Sequence, residues 1–234
     1  ILLYNASSLE NGLKLRPTLF DFLVHESLDF FLTAEFGISE NDMKFVLDNE
    51  SYLSGNKVFT QIKLDKKDSL SNIYYATKLF QEITLAHSND EDRSALIDVT
   101  LKRLDFMFNN VIVDNKDELY LKTLNELISE NIKHESVTEI LYKKADWYFK
   151  NSDKNSLEDS LKNGKKIAFQ LCEEAIDLFS NTYGSNKCKY LQGQIGQKAL
   201  SLKMEGVIAP NTNQRYLVDF KNLDTVFFKL LKFP

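Results

Sequence analysis

The stretch from Ala95 to Asn109 constrains this chain more than any other. Ala95, Leu96, Ile97, Val99, Leu101, Leu104, Phe106, Met107 and Phe108 cover most of a helical circumference. Only Asp98, Lys102, Asp105 and Asn109 are left as a narrow polar strip. A helix with one apolar stripe lies on a single layer, whereas one that is apolar on most sides must be packed on two or three. The spacing therefore predicts a middle-layer helix and excludes a simple two-layer hairpin. Asn89 or Asp90 is positioned to start it, with Glu91 and Asp92 near the positive end of its dipole.

The rest of the chain supplies the layers around it. Only eight Gly and three Pro interrupt 234 residues, too few breakers for anything but a mostly helical protein. Ser71 can cap a helix to about 87 with Ile73, Ala76, Leu79, Phe80 and Ile83 inward, and further helices are expected at about 116–132, 135–150, 158–182 and 186–204. Pairs then begin near 71, 116 and 158, spaced by about 42–45 residues against roughly 34 in a tetratricopeptide repeat. Ala145, Ala168 and Ala175 allow the close helix contacts that stacking needs. The predicted fold is mainly α: irregular, tetratricopeptide-like stacked helical hairpins over 1–204, with residues 37–68 as an irregular excursion holding one short strand or turn.

From Glu205 the period drops to two. Tyr216, Val218 and Phe220 alternate with Leu217, Asp219 and Lys221; Asn222-Leu223-Asp224 can turn; Val226, Phe228 and Leu230 alternate again. This predicts a β-hairpin in 205–234, with a helix over Thr225–Phe233 as the alternative for its last part. An isolated hairpin of this apolarity is marginal in water, so it is expected to pack on the helices or pair with strands beyond residue 234.

Charge and motifs exclude several classes of function. Net charge is −5 with a pI near 5.4, and no Lys/Arg block tracks phosphates, which argues against nucleic acid as a partner. No run approaches the about 18 apolar residues of a transmembrane helix. There is no Gly-rich phosphate loop, no Gly-x-Ser-x-Gly and no His-Glu-x-x-His.

Cys172 and Cys188 lack zinc-ligand spacing. If their helices turn near Tyr183-Gly184, the two are offset by roughly 9 Å at about 1.5 Å per residue, too far for easy bridging, and free thiols are expected. His25, Glu26 and Asp29 share one helix, where a solvated contact outweighs a ligand role. His87 and His134 sit at helix ends, where an imidazole is easily satisfied. Trp147 and Tyr148 are the candidate interaction surface, although at helical spacing they read first as core packing. The chain assembles no active site and calls for no cofactor or metal.

The opening segment Arg16-Pro17-Thr18-Leu19-Phe20-Asp21-Phe22-Leu23-Val24-His25-Glu26-Ser27-Leu28-Asp29-Phe30-Phe31 predicts a helix over about 18–36. Pro17 suits the approach, and Thr18 can cap the first turn. Leu19, Phe20, Leu23, Val24, Phe30, Phe31 and Ala34 are expected to face a core, with Asp21, His25, Asp29 and Thr33 opposite. This run closely resembles the N-terminal helical region of large bacterial alpha-2-macroglobulin-like proteins, those of Bacteroidetes in particular. Phe20 and Glu26 depart mildly from that pattern, which has Tyr and Arg there. Cys188-Lys189-Tyr190-Leu191, with Ile195 and Glu205, resembles the family's last helix before its β-domains. Ala209-Pro210-Asn211 with Val218–Leu230 resembles the start of a macroglobulin β-sandwich.

The resemblance implies a non-catalytic scaffold or protein-interaction module of a periplasmic or envelope-associated protease-trapping protein. A signal peptide would precede Ile1, and further sandwiches would follow Pro234. The partners implied are the remainder of the parent chain and, through it, proteases or envelope proteins. Neither cysteine lies in the family's Cys-x-Glu-Gln thioester context. The alternative is a stand-alone tetratricopeptide-like adaptor or glycan-binding lipoprotein domain.

Overall fold

Helices form where the apolar period runs unbroken, and they stop at polar caps. The structure, a computed structural model, describes residues 12–33, 45–65, 71–152, 163–204, 206, 213 and 215–229. Among them are nine α-helices: α1 Gly12–Leu15, α2 Leu19–Thr33, α3 Asn56–Phe59, α4 Asn72–Ala86, α5 Ser94–Asn110, α6 Lys116–Asn131, α7 Val137–Asn151, α8 Gly164–Leu178 and α9 Tyr183–Gly196. A 3-10 turn, Glu50–Leu53, precedes α3, and two strands, β1 Ala199–Met204 and β2 Tyr216–Lys221, follow α9. The protein is thus mainly α with a small two-stranded antiparallel sheet near its end.

Helix α5 is the central layer that its pattern requires. Its buried residues run from Ser94 through Met107 on nearly every side, while Asp98, Lys102, Asp105 and Asn109 keep some exposure. Around it a large core joins α2, residues 45–59, α4, α5 and α6; a smaller core joins α7, α8 and α9. Helix α7 spans the two, giving Ile140 to the first and Val137, Leu141 and Ala145 to the second. Ala145, Ala168 and Ala175 are fully buried where α7 and α8 meet.

Gly184 makes the closest approach. A Cβ there would run into the backbone of Thr138 and Glu139, so the first turn of α9 lies on the first turn of α7 with no room for a side chain. The Tyr183-Gly184-Ser185 signal is therefore a packing site inside a helix, not a turn. Thr182 and Ser185 close the end with a reciprocal capping box.

Four expectations are corrected. Helix α2 is rotated from the expected face: Val24 and Phe31 meet the core as expected, but Asp21, His25 and Leu28 are buried too, while Leu19, Phe20, Leu23 and Phe30 are exposed. The reason is specific bonding, since Asp21 caps the helix through the Thr18 N–H at 2.8 Å and meets a buried histidine on α4. The excursion, by contrast, keeps to its expected alternatives: among its described residues the choice of strand or turn falls on a 3-10 turn followed by one helical turn. Its apolar residues Phe45, Leu47, Tyr52, Leu53 and Phe59 enter the large core.

The predicted helix over 186–204 ends at Gly196. Leu191, Ile195, Ala199 and Leu202 keep a helical spacing, but Leu200, Leu202 and Met204 also alternate, and pairing with β2 decides for strand. The register is Leu200↔Phe220, Leu202↔Val218 and Met204↔Tyr216. The partner of 216–221 is therefore an earlier segment, not 225–229, which is neither strand nor helix. Asn222, with a left-handed φ of 53°, donates through Nδ2 to Ile195 O at 2.7 Å and Gln197 O at 3.1 Å, satisfying the end of α9 where a hairpin turn was expected.

Lastly, the two cysteines are free and buried, as expected, yet they lie near enough to shift each other's thiol. Helix α8 stops at Leu178 and α9 starts at Tyr183, so Cys172 and Cys188 lie at nearly equal distances from the turn. Placing the turn at Tyr183-Gly184 had put them out of reach.

Candidate functional site

The excursion forms one wall of a cleft because three helices reach out and hold its backbone. Arg103 of α5, fully buried, donates from Nη1 to Tyr52 O and from Nη2 to Ser54 O, both at 2.9 Å, with its guanidinium 4.3 Å over the Phe59 ring. Thr123 of α6 donates to Leu53 O at 2.7 Å. Gln81 of α4 donates to Phe59 O at 3.0 Å and Ile62 O at 2.9 Å. Asn56 Nδ2 donates to Thr100 Oγ1 at 2.8 Å. A segment with little secondary structure is thereby fixed as firmly as a helix. Burial alone pulls Arg103 down to about 9, which leaves it charged at neutral pH.

Between this wall and α6 lies a cleft of about 530 Å³. Lys122, Glu126 and Glu130 line it from one stripe of α6, Lys57 from α3, Thr84 from the last turn of α4, and Arg93 from the cap of α5. Two polar atoms here are buried without a hydrogen-bond partner: Thr84 Oγ1, on a residue 1% exposed, and Arg93 Nε. The neighbouring hydroxyls are occupied. Ser88 Oγ donates to Leu85 O and Thr60 Oγ1 to Asn56 O.

Sequence reasoning passed over this site. One signal was available, because Arg93 places a cation at the positive end of a long helix, the electrostatically unfavourable end. A second could not be read, since it depends on Thr84 and Arg93 meeting across a turn.

The residues singled out from sequence lie elsewhere. Trp147 and Tyr148 are half-buried and edge-to-face, with ring centroids 5.2 Å apart. Trp147 packs on the larger core and Tyr148 on the smaller, so the pair bridges them. His25, expected on the polar side, is only 6% exposed. Burial, then the charges of Arg16 and Lys102, lowers it to about 3, which keeps it neutral. His134 Nε2 meets Asp92 at 3.2 Å on the surface.

His87 is satisfied at a helix end, as the sequence suggests, but inside the protein and not in water. It is 5% exposed, with Nε2 2.7 Å from Asp21 Oδ1 and Nδ1 2.7 Å from Asp90 Oδ2. Asp21 is fully buried, so this network staples α2 to the end of α4. Among the described residues no cluster of His, Cys, Asp or Glu is arranged to hold a metal ion, and no helix is long and apolar enough to cross a membrane.

No protein-family model, curated protein or solved structure matches this chain. A functional reading therefore rests on its surfaces and on the likeness carried by Arg16–Phe31.

The most distinctive surface is the sheet. Leu200, Leu202 and Met204 of β1 and Tyr216, Val218 and Phe220 of β2 share one face by register. All but Val218 are exposed, Phe220 at 62% and Met204 at 60%. The opposite face carries Ala199, Ser201, Lys203, Asp219 and Lys221, with Leu217 the one large apolar residue among them. Phe227 and Phe228, just beyond, are exposed as well.

Proposed function

We propose that this chain is a non-catalytic scaffold and protein-interaction module of a larger envelope protein of the alpha-2-macroglobulin type. In this reading the helical stack positions the two-stranded sheet as the start of a β-sandwich. One observation carries it: one face of the sheet is wholly apolar, and five of its six residues are exposed to water. A β-sheet with one apolar face needs a second layer at about 10 Å to cover it. Two strands alone do not meet the cost of ordering such a face. A sandwich supplies both the missing layer and further strands at the open edges. The likeness of Arg16–Phe31 and of Val218–Leu230 to the macroglobulin pattern supports the same assignment.

The test is amide hydrogen exchange at β1 and β2, in the 234-residue chain and in the same chain extended by its own downstream reading frame. Slowed exchange of Leu200–Met204 and Tyr216–Phe220 in the longer protein is expected. Equal exchange in both, or a stop codon directly after Pro234, overturns the reading.

A further inference from the structure

The cleft between α3 and α6 has features that packing does not explain. Thr84, 1% exposed, and Arg93 both line it, and behind that lining Thr84 Oγ1 and Arg93 Nε are buried without hydrogen-bond partners. Leaving such groups unsatisfied is costly, and an ion, water or ligand that binds beside them is one way the cost is met. Both can donate, and two donors flanking one cavity suit an oxygen anion.

The charge of the lining narrows the choice. Three cations, Lys57, Arg93 and Lys122, face two carboxylates, Glu126 and Glu130, for a formal balance of +1. A phosphate or polyanion would be repelled by the α6 carboxylates, whereas a single carboxylate balances the site. Leu85, Leu96 and Leu127 add apolar surface for the rest of a ligand. The volume of about 530 Å³ falls within the range of roughly 300–1,000 Å³ usual for small-ligand clefts.

We propose that this cleft binds a monocarboxylate with an apolar body, its carboxylate held by Arg93 and Thr84. The carboxylate could come from a peptide C-terminus or from a free short-chain acid, and the recognition chemistry is the same. The site stands on the cleft alone and does not depend on the role assigned to the sheet.

Titrations of the whole chain with N-acetyl-Ala-Leu-Leu, its C-terminal amide, sodium hexanoate and inorganic phosphate test the assignment. Binding is read by calorimetry and by the Nε–H resonance of Arg93. The free acid is expected to bind and to shift that resonance, with the amide at least tenfold weaker. Arg93→Gln and Thr84→Val should each weaken the acid at least tenfold with unchanged circular dichroism. If Arg93→Gln fails to fold, Thr84→Val and the exposed Lys57→Ala carry the comparison, the latter with a loss of severalfold. Peptide bound more tightly than hexanoate assigns the peptide source, and the reverse assigns the free acid. Equal affinity for acid and amide, tighter binding of phosphate, variants that bind as well as wild type, or no binding of any probe at 10 mM overturns the proposal.

Discussion

His87 at the end of α4 lies 2.7 Å from Asp21 in the first turn of α2. The second ring nitrogen lies 2.7 Å from Asp90. Each ring nitrogen faces a carboxylate oxygen, so the buried imidazole has a polar partner at both ends. The same Asp21 carboxylate accepts from the Thr18 N–H and hydroxyl, both at 2.8 Å. One residue thus caps a helix and fixes how that helix lies. Asp21→Asn removes the charge and breaks the match to His87, leaving a buried polar atom unpaired. The expected loss is about 2–4 kcal/mol, read as a lower urea midpoint. A variant as stable as the parent would show that the contact does not orient α2.

His25, on the same helix, gives the protein a pH dependence. Burial, reinforced by Arg16 and Lys102, depresses it from 6.5 to about 3 in the folded state. The unfolded chain therefore binds a proton more readily than the folded one between these values. Stability is complete above pH 6.5 and declines as pH falls towards 3, by an amount on the order of a few kcal/mol. Urea midpoints at pH 7 and pH 4.5 should differ more for the wild type than for His25→Leu, which has no proton to take up.

Gly184 and Gly193 lie on the same helix and should respond oppositely to alanine. At Gly184 the new Cβ meets the backbone of Thr138 and Glu139, which cannot move without shifting α7. A loss of about 1–3 kcal/mol is expected, seen as a lower melting temperature. At Gly193 there is nothing within 4 Å, and Gly193→Ala should stabilise by up to about 1 kcal/mol through helix propensity.

Arg103 holds the cleft wall by donating to two carbonyls from a site with no solvent. Lysine keeps the charge but cannot reproduce the planar fork or the stacking on Phe59. Arg103→Lys should destabilise by about 2 kcal/mol. It should also quicken amide exchange in residues 50–59 beyond the change seen in α9, a local effect that general destabilisation would not produce.

The neighbouring thiols predict a chemical signature. Interaction with Cys188, together with burial, pushes the Cys172 thiol well up from the ordinary value. Both should resist a thiol-specific reagent in the native protein and react together on unfolding. Prompt labelling of one thiol at neutral pH without denaturant would mean that α8 and α9 do not pack as described.

Much of this architecture was legible in the chain itself. The near-continuous apolar surface of Ala95–Met107 required a central helix, and α5 is one. Ala145, Ala168 and Ala175 marked where helices meet, because a small residue in an apolar stripe has few other uses. Helix periods over 72–86, 116–131 and 137–151 were unambiguous, since nothing in them competes with period 3.6. Other features depended on partners distant in sequence. Helix α2 carries apolar residues on more than one arc, and only His87 decides which arc is buried. Residues 199–204 satisfy both periods, and only β2 decides that they form a strand. The cleft came entirely from tertiary structure, because Thr84, Arg93 and Lys57 have no pattern in common until α4, α5 and α3 converge. A local pattern fixes an element when one period dominates. Where two are equally served, long-range bonds choose between them, and the functional surface follows that choice.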